Sequence, residues 1–199
     1  SMELHADDLA GLLDALDIKQ AHIAGISYGS EVSLVFALRY PEKTKSLIVI
    51  DGVSEVPLML KLQSRPWKIA GERNDAELLF DTSIFLNFGE DYLKRNEQFL
   101  SLSREAFPKL NLSSFIKLMD SFTAYNITDQ LVHIKCPTLI IVGEEDLIKG
   151  PKMAQIMVDR IPHAEYVVVP GAGHALCLDK PEPLNTLLMG FALKHSSQA

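Results

Sequence analysis

Cysteine is scarce in this chain, with only Cys136 and Cys177 among 199 residues. Two such thiols give no disulfide framework and fit a reducing compartment, so a cytoplasmic setting is expected, with both side chains buried. Long apolar runs are also missing. No stretch approaches the roughly eighteen residues of a membrane span, and no signal peptide is visible, so no membrane partner is expected. Basic clusters are absent too: 19 Lys and Arg are scattered among 26 Asp and Glu, for a net charge of −7. Nucleic acid is therefore not an expected partner. No G-x-G-x-x-G turn, P-loop or metal-spaced His/Cys cluster occurs, so no nucleotide cofactor and no metal is expected. What remains is a 47% hydrophobic chain, enough for one core, alone or with a small appendage.

One short motif stands out. Gly25-Ile26-Ser27-Tyr28-Gly29 lies between an apolar run, Ala21-His22-Ile23-Ala24, and an amphipathic one beginning at Glu31. G-x-S-x-G by itself would occur by chance in roughly one chain in fifteen of this length. Its surroundings sharpen it. Ala21 to Ile26 reads as a short buried strand, and Val32, Val35, Ala37 and Leu38 recur at helical spacing until Tyr40-Pro41. A second strand, Leu47 to Ile50, follows and ends at Asp51-Gly52. Strand, tight turn, helix, strand is the setting of a nucleophile elbow, in which the central serine projects alone from the sheet edge. Both flanking glycines are expected to be sterically required, and the helix N-terminus suits developing negative charge.

Elsewhere the pattern alternates between strands and helices. Asp7-Asp8 before Leu9, Leu12, Leu13 and Leu16 reads as a helix with acids at its N-terminus. Pro137 to Gly143 and Tyr166 to Val169 read as strands, the latter buried, and Pro151 to Ile161 and Leu184 to Lys194 as helices. Val/Ile-rich strands separated by helices predict an α/β fold with a mostly parallel sheet covered on both sides. Between Val53 and Ile134 the strand pattern disappears, and helices are expected at Ala76 to Leu86, Tyr92 to Phe107 and Ser113 to Tyr125. Trp67, Phe80, Phe85, Phe99, Phe115 and Phe122 in this stretch form either a subdomain core or the wall of an apolar pocket. The tail from Ser196 to Ala199 is polar.

A serine hydroxyl needs a base, and the base needs a carboxylate to orient it. Gly143-Glu144-Glu145-Asp146 follows the Leu139 strand, and Pro170-Gly171-Ala172-Gly173-His174 follows the next one. Both loops fall at the C-terminal edge of the sheet, where catalytic groups collect in open α/β folds. His174 is the candidate base and Asp146 the candidate acid, with Asp51 as its main rival and Glu144 and Glu145 expected to face water. His22 is expected in the core or at an edge; His5, His133, His163 and His195 are expected on the surface.

These residues resemble the α/β-hydrolase superfamily, particularly its lid-bearing esterases, lactonases and carbon–carbon bond hydrolases. The elbow, the run from Leu139 to Asp146 opened by Pro137-Thr138, and Gly171 to His174 with Leu176 and Lys180-Pro181-Glu182 carry the likeness in the family's serine, acid, histidine order. The resemblance implies a core formed by 1–52 and 135–199 and a helical cap at 53–134. It further implies a serine hydrolase of small esters, lactones or thioesters acting on an apolar acyl substrate. Ser27, Asp146 and His174 would be catalytic, and the Tyr28 N–H would be an oxyanion donor. Acyl transfer, and non-catalytic binding or signalling through a small ligand, are the alternatives. Family members carry further strands and an oxyanion loop upstream of the Asp7 helix, so a C-terminal, truncated portion of a hydrolase is expected, weakly active or inactive alone. The Ala21–Ile26 strand would then be an exposed edge, and pairing there predicts a homodimer.

Overall fold

The computed structural model describes residues 1–106 and 110–196. Four strands, β1 (Ala21–Ile26), β2 (Thr44–Ile50), β3 (Thr138–Gly143) and β4 (Glu165–Val169), form one sheet in the order β1-β2-β3-β4. All three pairings are parallel. Parallel neighbours need crossover connections, and helices α2 (Tyr28–Arg39) and α8 (Pro151–Arg160) supply two of them.

Side chains alternate between two cores, as a period of two requires. Leu47, Val49, Ile140 and Val142 join helices α1 (Met2–Ala15), α2 and α8 on one face. Ile48, Ile50, Leu139 and Ile141 meet Leu184 and Phe191 of α10 (Pro181–Lys194) on the other. The central strands β2 and β3 are thus buried on both faces, which explains the continuous Leu/Ile/Val runs at 47–50 and 139–142. The outer strands are less covered than the sequence predicts. In β4 only Val169 is buried, because the strand pairs on one side and Val168 is 37% exposed. β1 forms the opposite edge, with Ile23 and Gly25 buried and Ala24 exposed.

Helix α1 begins at Met2, where the Ser1 hydroxyl caps it, rather than at Asp7. Asp7 therefore lies in mid-helix and accepts hydrogen bonds from Arg39 and Tyr40, joining α1 to the end of α2.

Between β2 and β3 the chain leaves and returns at one point. Glu55 and Asn126 form an isolated antiparallel bridge, Ile127 N donates to the Ser54 carbonyl at 2.8 Å, and Ser54 Oγ lies 2.9 Å from Thr128 Oγ1. Within this excursion are α3 (Leu58–Glu72), α4 (Ala76–Ser83), α5 (Glu90–Arg95), α6 (Glu97–Ala106) and α7 (Leu112–Thr123). Helix α3, which contains Pro66, was not among the helices expected in this stretch. The stretch expected as one helix from Tyr92 is two, α5 and α6, and its expected end at Phe107 lies outside the described residues, as do 197–199 of the tail. No described helix is long and apolar enough to cross a membrane.

Candidate active site

The elbow starts with a steric demand. A Cβ at Gly25 would lie 2.1 Å from the Gly29 carbonyl oxygen and 2.5 Å from Ser33 Oγ, so only glycine lets β1 turn directly into α2. Gly29 has no such role, since a Cβ there meets nothing within 4 Å, contrary to the sequence expectation. Ser27 carries the conformational strain, with φ 52° and ψ −118°, a region that L-residues seldom occupy. The fully buried Ser30 holds the turn: its hydroxyl lies 2.6 Å from the Gly25 carbonyl and 2.7 Å from that of Ile50, and it accepts from Ile50 N at 3.0 Å.

This turn presents Ser27 Oγ 2.7 Å from His174 Nε2, and His174 Nδ1 lies 2.8 Å from Asp146 Oδ2. Residues from three loops, 147 and 28 positions apart along the chain, thus form one continuous hydrogen-bonded line. With Nδ1–H donating to the carboxylate, Nε2 is left as an acceptor facing the serine hydroxyl. The second oxygen of Asp146 accepts from Ile148 N at 2.7 Å and Lys149 N at 2.8 Å, which fixes the carboxylate's orientation. Gly143 makes the approach of the two loops possible, as its Cβ would lie 2.4 Å from the carbonyls of both Ala172 and Gly173. Tyr28 is the first residue of α2, and an N–H at that position has no partner within its own helix.

Asp51, the rival acid, is fully buried at the end of β2 and does not take the imidazole proton position. Its Oδ1 accepts from Gly143 N at 2.9 Å, and its Oδ2 is buried without a hydrogen-bond partner among the described residues. Burial, reinforced by the nearby Asp146 charge, pushes its carboxyl up to about 8. Its carboxyl therefore favours the neutral form near pH 7, while Asp146 makes the hydrogen bond to the His174 imidazole. Among the described residues, Asp51, Asp146 and His174 bring donor atoms within 4.8 Å of one another, close enough to hold a cation. Two of the three already share a hydrogen bond, which a cation would have to displace. Glu144 and Glu145 are exposed as expected, yet each accepts a backbone N–H, from Gly171 and Glu90 respectively.

A cavity of about 410 Å³ opens beside Ser27. Trp67, Phe115 and Phe122 line it, as do Leu79 and Met119, so half of the aromatic set expected here does form a pocket wall. Phe80 is buried away from it, whereas Phe85 and Phe99 are 50% and 37% exposed. Cys177 lines the same cavity and is exposed, and Cys136 is only half-buried at the margin of the larger core; both differ from the buried thiols expected.

Several residues escaped the sequence reading. Glu31, fully buried in the first turn of α2, pairs with the buried Lys149 ammonium at 2.8 Å and accepts from Val53 N. Burial pushes the Glu31 carboxyl up while the Lys149 charge opposes it. Lys149 also lies 4.7 Å from the Phe122 ring centroid. The ion pair ties the acid loop to the elbow helix across 118 positions, and the only local hint was a lysine three residues after Asp146 in an otherwise acidic turn. Two histidines also depart from the expected surface positions. His5 packs edge-on against Tyr28, with ring centroids 5.8 Å apart, and His195 packs on Phe191 with its side chain 11% exposed. His22 lies at the sheet edge as expected, with Nδ1 2.7 Å from Ser46 Oγ.

Residues 1–181 match the family described as alpha/beta hydrolase fold. The chain belongs to that family. Within the alpha/beta hydrolases it is 28% identical over 205 residues to RutD of Pantoea ananatis, a protein named for carbamate hydrolysis, covering 98% of this chain and 72% of the relative. Among solved structures it superposes with a TM-score of 0.89 on MGS-M2, an alpha/beta hydrolase enzyme from a Medee basin deep-sea metagenome library. That match has 28% identity and covers 94% of this chain and 70% of the other. Est816, described as an N-acyl homoserine lactone degrading enzyme, gives a TM-score of 0.80 at 28% identity over 96% of this chain and 74% of its own.

Proposed function

We propose that this chain is a serine hydrolase of small carboxylic esters, lactones or thioesters with an apolar acyl side. The observation that carries the reading is the line from Asp146 through His174 to Ser27, at 2.8 and 2.7 Å, opening on an apolar cavity. His174 Nε2 takes the hydroxyl proton as Ser27 Oγ attacks the substrate carbonyl carbon. The imidazolium that forms is held by Asp146, and the same proton passes to the leaving oxygen or sulfur. The Tyr28 N–H donates to the developing oxyanion, helped by the N-terminal end of α2. Water, deprotonated by His174, then releases the acid from the acyl-enzyme.

The segment at 53–134 is a cap on a core formed by 1–52 and 135–199. Its single neck at Ser54 and Thr128 supports that division, as does the pocket wall that Trp67, Phe115 and Phe122 provide. The lactone-degrading Est816 supports the lactone part of the substrate class. The scarcity of cysteine supports a cytoplasmic setting.

A fluorophosphonate probe tests the reading. It should label the folded protein at Ser27, and the Ser27→Ala variant should be neither labelled nor active on a p-nitrophenyl ester. Folded protein that fails to label refutes nucleophilic serine chemistry. Ligand binding without turnover, unchanged by Ser27→Ala, would instead show a binding protein on the hydrolase scaffold.

A further inference from the structure

The loop that carries His174 is fastened on both sides of the histidine to the helical segment over the cavity. Asp179, at the end of the short helix α9 (Leu176–Asp179), places Oδ2 2.6 Å from Gly173 N and 2.7 Å from Gly89 N. On the other side of the base, Ala175 N donates to the Asn87 carbonyl at 2.5 Å. The two chains meet without room for side chains. A Cβ at Gly173 would lie 2.4 Å from the Phe88 carbonyl carbon, and one at Gly89 would lie 2.8 Å from the Gly171 oxygen. Glu145, beside the candidate acid, accepts from Glu90 N at 2.8 Å. Residues 87–90 are therefore gripped by the base loop and by the acid loop together.

The chemistry of the grip is concentrated in one group. Asp179 is 8% exposed, and a single carboxylate oxygen accepts both backbone N–H donors, one from each side of the junction. Charge-assisted bonds of this kind are stronger than neutral ones, and losing the acceptor strands two buried donors at once. The gripped segment also forms the cavity: Asn87 and Ser83 line it, and Asn87 Nδ2 donates to the Ser83 carbonyl at 2.8 Å.

We infer that Asp179 is a positioning residue for the base, because its one oxygen joins residues 87–89 to residues 173–175 and makes seating of the helical segment and alignment of His174 on Ser27 a single event. A segment lifted to admit substrate takes this tie from the loop that carries His174 and leaves Asp146 alone to orient the imidazole, so proton transfer is favoured in the closed arrangement, where water is displaced from the cavity. The alignment half of this inference rests on Ser27 acting as the nucleophile; the mechanical half does not.

The experiment uses the full chain with Asp179→Ala and Asp179→Asn. In amide hydrogen exchange, peptides covering 86–91 and 171–176 should exchange faster in Asp179→Ala, by a common factor, while β3 stays protected. Fluorophosphonate labelling of Ser27, and kcat on a small ester, should fall between about 10- and 100-fold, with KM changed by less than about twofold. Asp179→Asn keeps an acceptor oxygen and should recover most of the labelling rate. If Asp179→Ala does not fold, Asp179→Asn carries the test through a smaller, still common, rise in exchange at the two segments. Exchange that rises at one segment alone, or at neither, overturns the inference. So does labelling in folded Asp179→Ala that matches the wild type, or an Asn variant as impaired as the Ala variant. If the wild type itself fails to label, the hydrolase reading falls, and the exchange measurement still decides the grip.

Discussion

Replacing Asp51 by Asn should make the protein more stable, and by an amount that grows with pH. Asp51 has no exposed surface, and its Oδ2 has no hydrogen-bond partner among the described residues. Burial and the Asp146 charge raise its carboxyl from 3.8, the ordinary value, to about 8. The sign follows from proton binding. Below about pH 4 both folded and unfolded chains hold the proton, so the shift has no effect there. Between about 4 and 8 the unfolded chain releases the proton and the folded one keeps it, so stability falls as pH rises. Above 8 the loss is complete. One proton corresponds to about 1.4 kcal/mol per pH unit. Asn carries no proton, and its side-chain oxygen can still accept from Gly143 N, which lies 2.9 Å from Asp51 Oδ1. The advantage of Asp51→Asn should therefore grow by about 3 kcal/mol between pH 5 and 7, equivalent to about 5 to 10 °C in Tm for a chain of this size. Urea unfolding of both proteins at pH 5, 6 and 7, extrapolated linearly to water, measures it. Stability profiles that run parallel across this range would mean that Asp51 is ionised in the folded protein, and would refute the reasoning.

Lys149→Met should cost about 3 to 5 kcal/mol, because Glu31 is left buried and unpaired. Glu31→Gln together with Lys149→Met should recover much of that, as thermal unfolding would show. Gly25→Ala should abolish soluble folded protein or displace the elbow, since its Cβ would overlap the Gly29 carbonyl. Gly29→Ala should stay within about 0.5 kcal/mol of the wild type, and equal sensitivity at the two glycines would contradict the elbow geometry. Light scattering at micromolar concentration should give twice the 22.1 kDa chain mass, through pairing at the β1 edge; a monomeric mass argues against that dimer.

The sheet, the tight turn at Ser27 and the two loops that bring Asp146 and His174 to it were legible because each is written locally. β2 and β3 carry continuous apolar runs at 47–50 and 139–142, since both their faces are covered. Gly25 marks a turn too tight for a side chain, and the acid and histidine loops follow their strands directly. A parallel sheet then gathers those loop ends at one edge whatever the rest of the chain does. The helical excursion was legible as a loss of strand pattern, although α3, with Pro66 inside it, was not among the helices expected.

What the tertiary structure alone decided are the partners of groups that look ordinary in sequence. Glu31 looks like a first-turn helix acid and Lys149 like a loop lysine until they meet, 118 positions apart, inside the core. Asp51 and Asp146 both lie in loops that follow strands, and only packing raises the carboxyl of one and hydrogen-bonds the other to the imidazole. Asp179 reads as a surface acid near the last helix, yet it receives an N–H from 90 positions away. Periodicity and turn chemistry report on the few residues around a position. Burial and charge pairing depend on which distant faces meet, and that is fixed only when the layers of the fold close on one another.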